Sequence, residues 1–332
     1  MKPSISIVTP VFNAAHCLRS LHENLCRQTL SEWEWVVVDD GSSDGSSTIL
    51  DDIMACDKRV KVFHQTNSGA AKMPRDRAVY ESSAPFIVPI DSDDIIDDNY
   101  LETITKRQKE TDADIVYPIM QFMRRGKLQL TLPLDTVDTS RIYSGREALL
   151  LTIPQFEIGC NGGMYRRRIW VNSSYPSYAG RKIYMNSDEV DERLYLLEAE
   201  RVAFCTARYQ YILHPESITN QIKPNRFDVL DTDMQLLNIV KDEYGRQSEA
   251  YTKAERKAFL GFRNMMRLYM EHYDDFSDAR DVITGKLRRT FHQLANIHLP
   301  MKERMQFLGM KSFRAVFLMT SVKYRGVKGF IL

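Results

Sequence analysis

Three carboxylates stand within four residues in the segment Asp91-Ser92-Asp93-Asp94. The apolar run 86–90 comes directly before them and predicts a buried strand whose carboxyl end opens onto a polar crevice. Acids this close repel one another, and Asp91 and Asp93 could both bind one hard divalent cation through oxygen. The alternative is a helix cap, because acids also favour the start of the helix expected to follow at Tyr100.

Two earlier apolar segments also end in polar residues. Thr9 and Pro10 lie near the end of the β-branched segment 4–12, and residues 33–38 lead into Asp39 and Asp40. Parallel strands share their C-terminal edge, so these side chains are expected to converge with the acids at 91–94. The chain lacks the G-x-G-x-x-G and Walker A patterns, and a metal is the natural substitute for a glycine cradle around phosphate.

The elements that position these residues alternate along the first third of the chain. Strand patterns at 4–12, 33–38, 60–64 and 86–90 are separated by helical patterns, and Asn13 is the expected N-cap of the first helix. This order predicts an α/β fold with a Rossmann-like, mostly parallel sheet and helices on both faces. Later predictions are a strand at 115–120, a hairpin turn at 124–127, helices at 144–151 and 187–199, edge strands at 202–204 and 209–213, and helices from about residue 227.

Composition excludes several classes of function. Lys and Arg number 45 against 44 Asp and Glu, so no basic field suggests a nucleic-acid partner. The five cysteines are scattered without a C-x-x-C pair, which indicates neither a disulfide framework nor a zinc site and suits a reducing cytoplasm. The sequence shows no signal-peptide pattern and no apolar segment long enough to cross a bilayer.

The segment 301–332 has seven basic residues, one acid and interleaved aromatic residues. Such a segment could lie on an anionic membrane surface. It could equally form a helix packed on the rest of the chain with its lysines in water.

Four ordered motifs, at 8–13, 36–45, 67–77 and 89–94, together resemble the family 2 glycosyltransferases of the bacterial surface-polysaccharide type, which have the GT-A fold. The resemblance extends over about 4–113 and, more loosely, 159–220. It implies a nucleotide-sugar-binding half at 1–113, an acceptor-binding half with the catalytic base at 114–224, and a helical C-terminal extension at 225–332.

The resemblance also implies roles for individual residues of the donor site. Asp39 would accept a hydrogen bond from the base, Thr9 and Phe12 would line the base pocket, and Asp93 would bind Mn²⁺ or Mg²⁺ between the two phosphates. Arg75 would assist there, although it could also belong to a solvated helix face with Arg77. The predicted nucleotide-binding residues are Thr9, Pro10, Phe12, Asp39, Asp40, Arg75, Asp91 and Ser92. The predicted metal ligands are Asp93, Asp91 and His214.

The catalytic base is expected at the start of the helix 187–199. The family places an acidic pair about a dozen residues before a segment like Ala199-Glu200-Arg201, and this spacing points to Asp188, with Glu189 as its competitor. A helix cap is the alternative role for Asp188. One carboxylate base acting opposite the leaving phosphate implies inversion at the anomeric carbon.

The expected function is therefore transfer of a sugar from a nucleoside diphosphate sugar, with UDP the expected nucleotide, to a hydroxyl of a glycan or lipid-linked acceptor. The enzyme is expected to be cytoplasmic and peripheral on the inner face of the membrane. One alternative is a nucleotide-binding assembly subunit without turnover. The other is a nucleotide-sugar pyrophosphorylase, although residues 9–15 lack the Gly-rich basic loop of that class.

Overall fold

The computed structural model describes residues 2–153, 157–158, 162–174, 187–214, 222–294 and 320. The chain divides into two compact units. The first comprises Met1–Thr152, Phe156–Ile183 and Asp191–Pro215, and the second comprises Ile153–Gln155, Tyr184–Val190 and Glu216–Leu332.

The predicted alternation of strands and helices is confirmed in the first third of the chain. The elements there are β1 (Ile5–Val11), α1 (Leu18–Cys26), β2 (Trp33–Asp39), α2 (Ser46–Cys56), β3 (Val60–His64), α3 (Lys72–Glu81), β4 (Phe86–Pro89), β5 (Ile95–Ile96) and α4 (Tyr100–Thr111). The following elements are β6 (Ile115–Arg124), β7 (Lys127–Leu132), α5 (Gly145–Leu150), β8 (Met164–Arg166), α6 (Arg167–Ser174), α7 (Ser187–Glu198) and β9 (Val202–Ile212).

One mixed sheet joins all nine strands of the described residues, in the order β3-β2-β1-β4-β8-β6-β9-β5, with β7 paired to β6. Strands β3, β2, β1 and β4 are parallel to one another, as predicted. In the remainder β6 and β9 are parallel, whereas β8, β7 and β5 run antiparallel to their partners. The sheet continues across residue 113, so the predicted donor and acceptor halves share it.

Apolar strands buried under helices form the core of this unit. Strand β2, with the sequence WEWVVVD, is buried along its whole length, as expected for a central parallel strand. Helix α1 buries Leu18, Leu21 and Leu25, which recur at helical spacing on one face. Burial of these faces fixes the strand ends from which the polar loops emerge.

Two local predictions were wrong. The expected edge strands at 202–204 and 209–213 are one long strand, β9, which pairs with β6 and β5 inside the sheet. A bulge interrupts its register, because Tyr117 faces Phe204 whereas Ile119 faces Arg208. Asn13 is not a helix cap either: its φ is +52°, and its side chain accepts a hydrogen bond from the loop that follows β2.

The second unit is helical where it is described, which agrees with the predicted extension. Its long helices are α8 (Val229–Tyr244), α9 (Glu249–Glu271) and α10 (Arg280–Leu294). They bury an aromatic core that includes Phe227 and Phe276, whose ring centroids lie 5.4 Å apart. Among the described residues no helix is both long and apolar enough to cross a membrane. The predicted membrane-binding tail at 301–332 lies outside the described residues except for residue 320.

Candidate active site

The carboxyl ends of β1, β2 and β4 meet at one edge of the sheet, as predicted. Val11 is paired with Asp39, and the main-chain N of Asp40 donates to the carbonyl of Val11 at 2.8 Å. On the other side of β1, the main-chain N of Ile90 donates to the carbonyl of Val8 at 3.1 Å. These bonds bring the acids after β2 and β4 to the same edge.

Asp39 is a buried carboxylate with its hydrogen bonds supplied locally. Its Oδ1 accepts from the main-chain N of Ser42 at 3.1 Å, and its Oδ2 accepts from the hydroxyl of Ser47 at 2.6 Å. The Nδ1 of His64 lies 3.0 Å from the same Oδ2. Burial raises the pKa of Asp39, but these hydrogen bonds outweigh it and bring the pKa below its ordinary value. Asp39 is therefore a fixed anionic acceptor near neutral pH.

Asp40 anchors the loop that follows β3. Its Oδ1 accepts from Nε2 of Gln65 at 2.6 Å and from the main-chain N of Ser68 at 3.0 Å. The residue after Asp40 packs against this loop and must be glycine. At Gly41 φ is +76°, and an added Cβ would lie 2.7 Å from the main-chain N of Asn67. Asp40 thus acts on the architecture of the site.

The residues predicted to line the base pocket from β1 differ in their placement. Thr9 is buried, and its hydroxyl accepts from Nε1 of Trp35 at 2.9 Å, so its side chain lies in the interior of the sheet. Phe12 is 52% exposed just past the strand end, and Pro10 is half-buried. Of these three residues, Phe12 is therefore the one whose side chain is open to solvent.

Asp91 contacts α3, the helix that follows β3. Arg75 of α3 donates from Nη2 to Oδ1 of Asp91 at 2.8 Å. Ser92 lies near the thiol of Cys17 and lowers its pKa, although burial raises that pKa more. Arg77 points elsewhere: it donates to the carbonyl of His64 at 3.0 Å and thereby holds the end of β3. Of the two basic residues, Arg75 is the one brought to the acids.

Asp93 and His214, two of the three predicted metal ligands, lie close to each other. The Nε2 of His214 is 3.5 Å from Oδ2 of Asp93. Burial and the neighbouring charge of Asp91 raise the pKa of Asp93. Two carboxylates after β4 and an imidazole after β9 are donors of the kinds that bind divalent cations, but among the described residues the ligand atoms of Asp91, Asp93 and His214 do not all lie within 4.8 Å of one another.

Asp94 does not cap a helix, contrary to the alternative expectation for this acid. It is buried, and its Oδ2 accepts from the hydroxyl of Tyr209 at 2.6 Å, while its Oδ1 accepts from the main-chain N of Ile212 at 2.9 Å. The Tyr209 oxygen also accepts from the main-chain N of Asp91 at 3.3 Å. One tyrosine on β9 therefore fixes the acidic loop, which strand periodicity alone did not indicate.

The two candidate bases lie in the first turn of α7, in residues that belong to the second unit. Asp188 is exposed, and its Oδ1 accepts from the main-chain N of Glu189 at 3.1 Å. Glu189 lies 3.3 Å from Nζ of Lys257, which also contacts Asp233 at 2.5 Å. Glu189 is therefore held in an ion pair with a lysine of α9.

A buried ion pair that the sequence analysis did not identify joins α3 to α7. Nζ of Lys72 lies 2.8 Å from Asp76 and 2.8 Å from Asp191, and Asp76 also accepts from Nε1 of Trp170 at 3.1 Å. Burial raises the pKa of Asp191 to about 6 even beside this lysine. The i, i+4 spacing of Lys72 and Asp76 was the available signal, and the partner from α7 was not foreseeable from the sequence.

Glu192 follows Asp191 in the chain and is buried. The hydroxyls of Tyr117 and Tyr165 both donate to its carboxylate, the latter at 2.9 Å. Burial raises the pKa of Glu192 to about 7. Residues 159–161, which fall in the looser part of the family resemblance, lie outside the described residues.

Residues 6–171 match the family Glycosyl transferase family 2. The chain is also 34% identical over 308 residues to the putative glycosyltransferase EpsH of Bacillus subtilis, a match that covers 89% of this chain and 82% of that protein. The chain therefore belongs to glycosyltransferase family 2 and is a glycosyltransferase. With the glycosyltransferase GlyG of Streptococcus pneumoniae it shares 38% identity over 116 residues, which span 35% of this chain and 38% of GlyG.

Solved structures agree with the GT-A fold. The S. aureus protein TarS, residues 1–349 in complex with UDP-GlcNAc, has a TM-score of 0.63 at 16% identity and covers 98% of this chain and 90% of that one. The mannosyltransferase PcManGT from Pyrobaculum calidifontis, in complex with GDP-Man and Mn²⁺, has a TM-score of 0.50 at 14% identity and covers 98% of this chain and 88% of that one.

Proposed function

We propose that this chain is a metal-dependent, inverting glycosyltransferase that moves a sugar from a UDP-sugar to a hydroxyl of a glycan or lipid-linked acceptor. One observation carries the proposal: at the carboxyl edge of β4, Asp91 lies against Arg75 and Asp93 against His214. The two carboxylates could bind a metal ion, and the guanidinium of Arg75 could bind phosphate. The complexes of TarS with UDP-GlcNAc and of PcManGT with Mn²⁺ support the same reading.

Asp93, Asp91 and His214 would hold Mn²⁺ or Mg²⁺. When bound, the ion supplies charge stabilisation to the departing diphosphate. Arg75 adds a second positive charge on the same side, where negative charge grows as the bond from the anomeric carbon to the phosphate oxygen breaks. Asp39, kept ionised by its hydrogen bonds, accepts from the N–H of the base, and Phe12 stacks on it.

Asp188 accepts the proton of the acceptor hydroxyl as that oxygen forms its bond to the anomeric carbon. The diphosphate leaves with the electron pair of the broken bond from the opposite face, so the configuration inverts. A proton NMR spectrum of the first product should therefore show the anomeric configuration opposite to that of the donor.

The acceptor class and location rest on the sequence pattern. Residues 301–332, rich in basic and aromatic residues, would hold the enzyme on the anionic inner face of the membrane, where lipid-linked acceptors are found. Sedimentation with anionic vesicles tests this placement. The full chain should sediment with the vesicles, whereas a chain ending at residue 300 should not. Equal sedimentation of both would contradict it.

Calorimetry of UDP binding with Mn²⁺ and with EDTA tests the donor site. The wild type should bind UDP with Mn²⁺ and lose at least about tenfold in affinity in EDTA, consistent with removal of a charge-assisted contact. Asp93→Asn should bind UDP with the same affinity in Mn²⁺ as in EDTA. Asp98→Asn is the matched control, since Asp98 is 59% exposed and paired with Arg27 outside the site. UDP affinity that is the same with Mn²⁺ and EDTA would overturn metal dependence.

A further inference from the structure

A second group of metal-ligating atoms lies away from the acids at 91–94. The Nε2 of His22 is 3.2 Å from Oδ2 of Asp57. The Sγ of Cys26 is 3.5 Å from that nitrogen and 3.9 Å from that oxygen. One nitrogen, one sulfur and one oxygen therefore lie within bonding reach of a common point.

The fold places these three side chains at the opposite edge of the sheet from the donor site. His22 and Cys26 are four residues apart on α1, so they share one face near its C-terminal end. Asp57 is the C-cap residue of α2, three residues before β3 begins at Val60. Helix α1 returns from the carboxyl edge of β1, so its end reaches the edge where the parallel strands begin.

The spacing of the three atoms fits a tetrahedral zinc ion. Zinc bonds of about 2.0–2.1 Å to nitrogen and oxygen and about 2.3 Å to sulfur place such ligands roughly 3.3 to 3.6 Å apart at tetrahedral angles. The observed separations of 3.2, 3.5 and 3.9 Å need only a small movement of the Cys26 sulfur toward Asp57. A ligand set of imidazole, thiolate and carboxylate favours zinc over hard cations such as Mg²⁺, which prefer oxygen ligands.

We propose that His22, Cys26 and Asp57 form a zinc site that is separate from the catalytic cation. The thiol of Cys26 releases its proton on binding, and a water completes the fourth position. The ion would link the end of α1 to the turn before β3. Scanning for C-x-x-C pairs does not detect such a site, because its third ligand is 31 residues beyond Cys26.

Arg59 occupies part of the same space and would compete with zinc for Asp57 and Cys26. Its Nη2 lies 2.7 Å from Oδ2 of Asp57 and 3.5 Å from the sulfur of Cys26, and its guanidinium lies 3.7 Å from the ring centroid of Trp33. The Nε of Arg59 holds Oδ1 of Asp57 at 3.0 Å, which leaves that carboxylate oriented when Oδ2 binds a metal. Zinc must therefore displace the Nη2 contact alone.

Cobalt(II) as a spectroscopic substitute tests the site directly. The wild type should develop a thiolate-to-cobalt charge-transfer band and tetrahedral d–d bands at one equivalent, and zinc should abolish them. Cys26→Ser and His22→Gln should each lose these bands and weaken zinc binding at least about tenfold. Cys56→Ser is the matched control, because Cys56 is also exposed and precedes Asp57 by one residue. Retention of the bands in Cys26→Ser, or their loss in Cys56→Ser, would overturn the assignment.

Arg59→Met supplies a test in the opposite direction. Removing the competing cation while keeping an apolar stem against Trp33 should tighten zinc binding several-fold, because the main-chain N of residue 59, which donates to Oδ1 of Asp57 at 3.0 Å, still orients that carboxylate. Competition with a chromophoric chelator measures the affinity. Zinc should also raise the Tm of the wild type and not that of His22→Gln, since a ligand of the native state stabilises it. An unchanged or weaker zinc affinity in Arg59→Met would contradict the proposed geometry.

Discussion

Arg75 donates from its Nη2 to Oδ1 of Asp91 at 2.8 Å, and this bond joins the helix after β3 to the acidic loop after β4. The side chains are 18% and 29% exposed, so the pair lies at the mouth of the crevice and not in bulk water. Arg75 can therefore orient Asp91 and, when a diphosphate enters, share its charge with the phosphate oxygens.

Replacing Arg75 by Met should raise the Kd for UDP with Mn²⁺ by about 10- to 100-fold, because a hydrogen bond to a charged group contributes about 1.5 to 3 kcal/mol. Calorimetry measures this directly. Arg19→Met is the control, since Arg19 is 60% exposed and pairs with Asp52 on the surface. Equal Kd values for Arg75→Met and the wild type would exclude Arg75 from the diphosphate site.

The assignment of the base separates two adjacent acids. Asp188→Asn should lower kcat by about 100-fold or more, as expected for loss of a general base, and leave the Kd for UDP unchanged. Glu189→Gln should keep most of the transfer rate, because that carboxylate is paired with Lys257 at 3.3 Å. Steady-state assays with an accepted glycan distinguish them. The reverse pattern would transfer the role to Glu189.

The donor edge was predictable because its signals are local. Apolar runs that end in acids mark the carboxyl ends of parallel strands, and β1, β2 and β4 bring Asp39 and Asp91 to one edge as expected. Strand β9 was predicted less well: its bulge between Phe204 and Arg208 breaks the period of two on which strand prediction relies.

Contacts between distant segments were not predictable from the sequence. The hydrogen bond from Tyr209 to Asp94 joins residues 115 positions apart. The proposed zinc site likewise combines His22 and Cys26 of α1 with Asp57, which follows α2. Single-sequence periodicity identifies the face on which a residue lies but not the partner that meets it. A helix cap was therefore the alternative expectation for the acids at 91–94, and the pairing of Asp191 with Lys72 could not be predicted.

Two glycines in the loop after β2 provide a test of its packing. Gly41 and Gly45 both have positive φ, at +76° and +94°, but an added Cβ meets the main-chain N of Asn67 at 2.7 Å only at Gly41. Gly45→Ala should cost about 1 kcal/mol of backbone strain, and Gly41→Ala should cost more and weaken UDP binding. Urea unfolding followed by tryptophan fluorescence reports the first unit, which contains Trp33, Trp35 and Trp170. Equal losses in the two variants would contradict the packing argument.

Glu192 predicts a pH dependence of stability. Burial raises its pKa to about 7 from 4.5, so between these values the folded chain holds a proton that the unfolded chain has released. The free energy of unfolding should therefore fall as pH rises from about 4.5 to 7, by on the order of 3 kcal/mol, and then level.

Glu192→Gln, which keeps the shape without the charge, should make this decline shallower and raise stability at pH 8 relative to pH 5. Part of the decline should persist, because Asp191, with a pKa of about 6, acts in the same direction. Urea midpoints across this pH range measure the slope. Glu198→Gln is the control, because Glu198 is exposed on the same helix and its substitution should leave the slope unchanged. An identical slope in Glu192→Gln and the wild type would show that this carboxylate is ionised in the folded chain throughout the range.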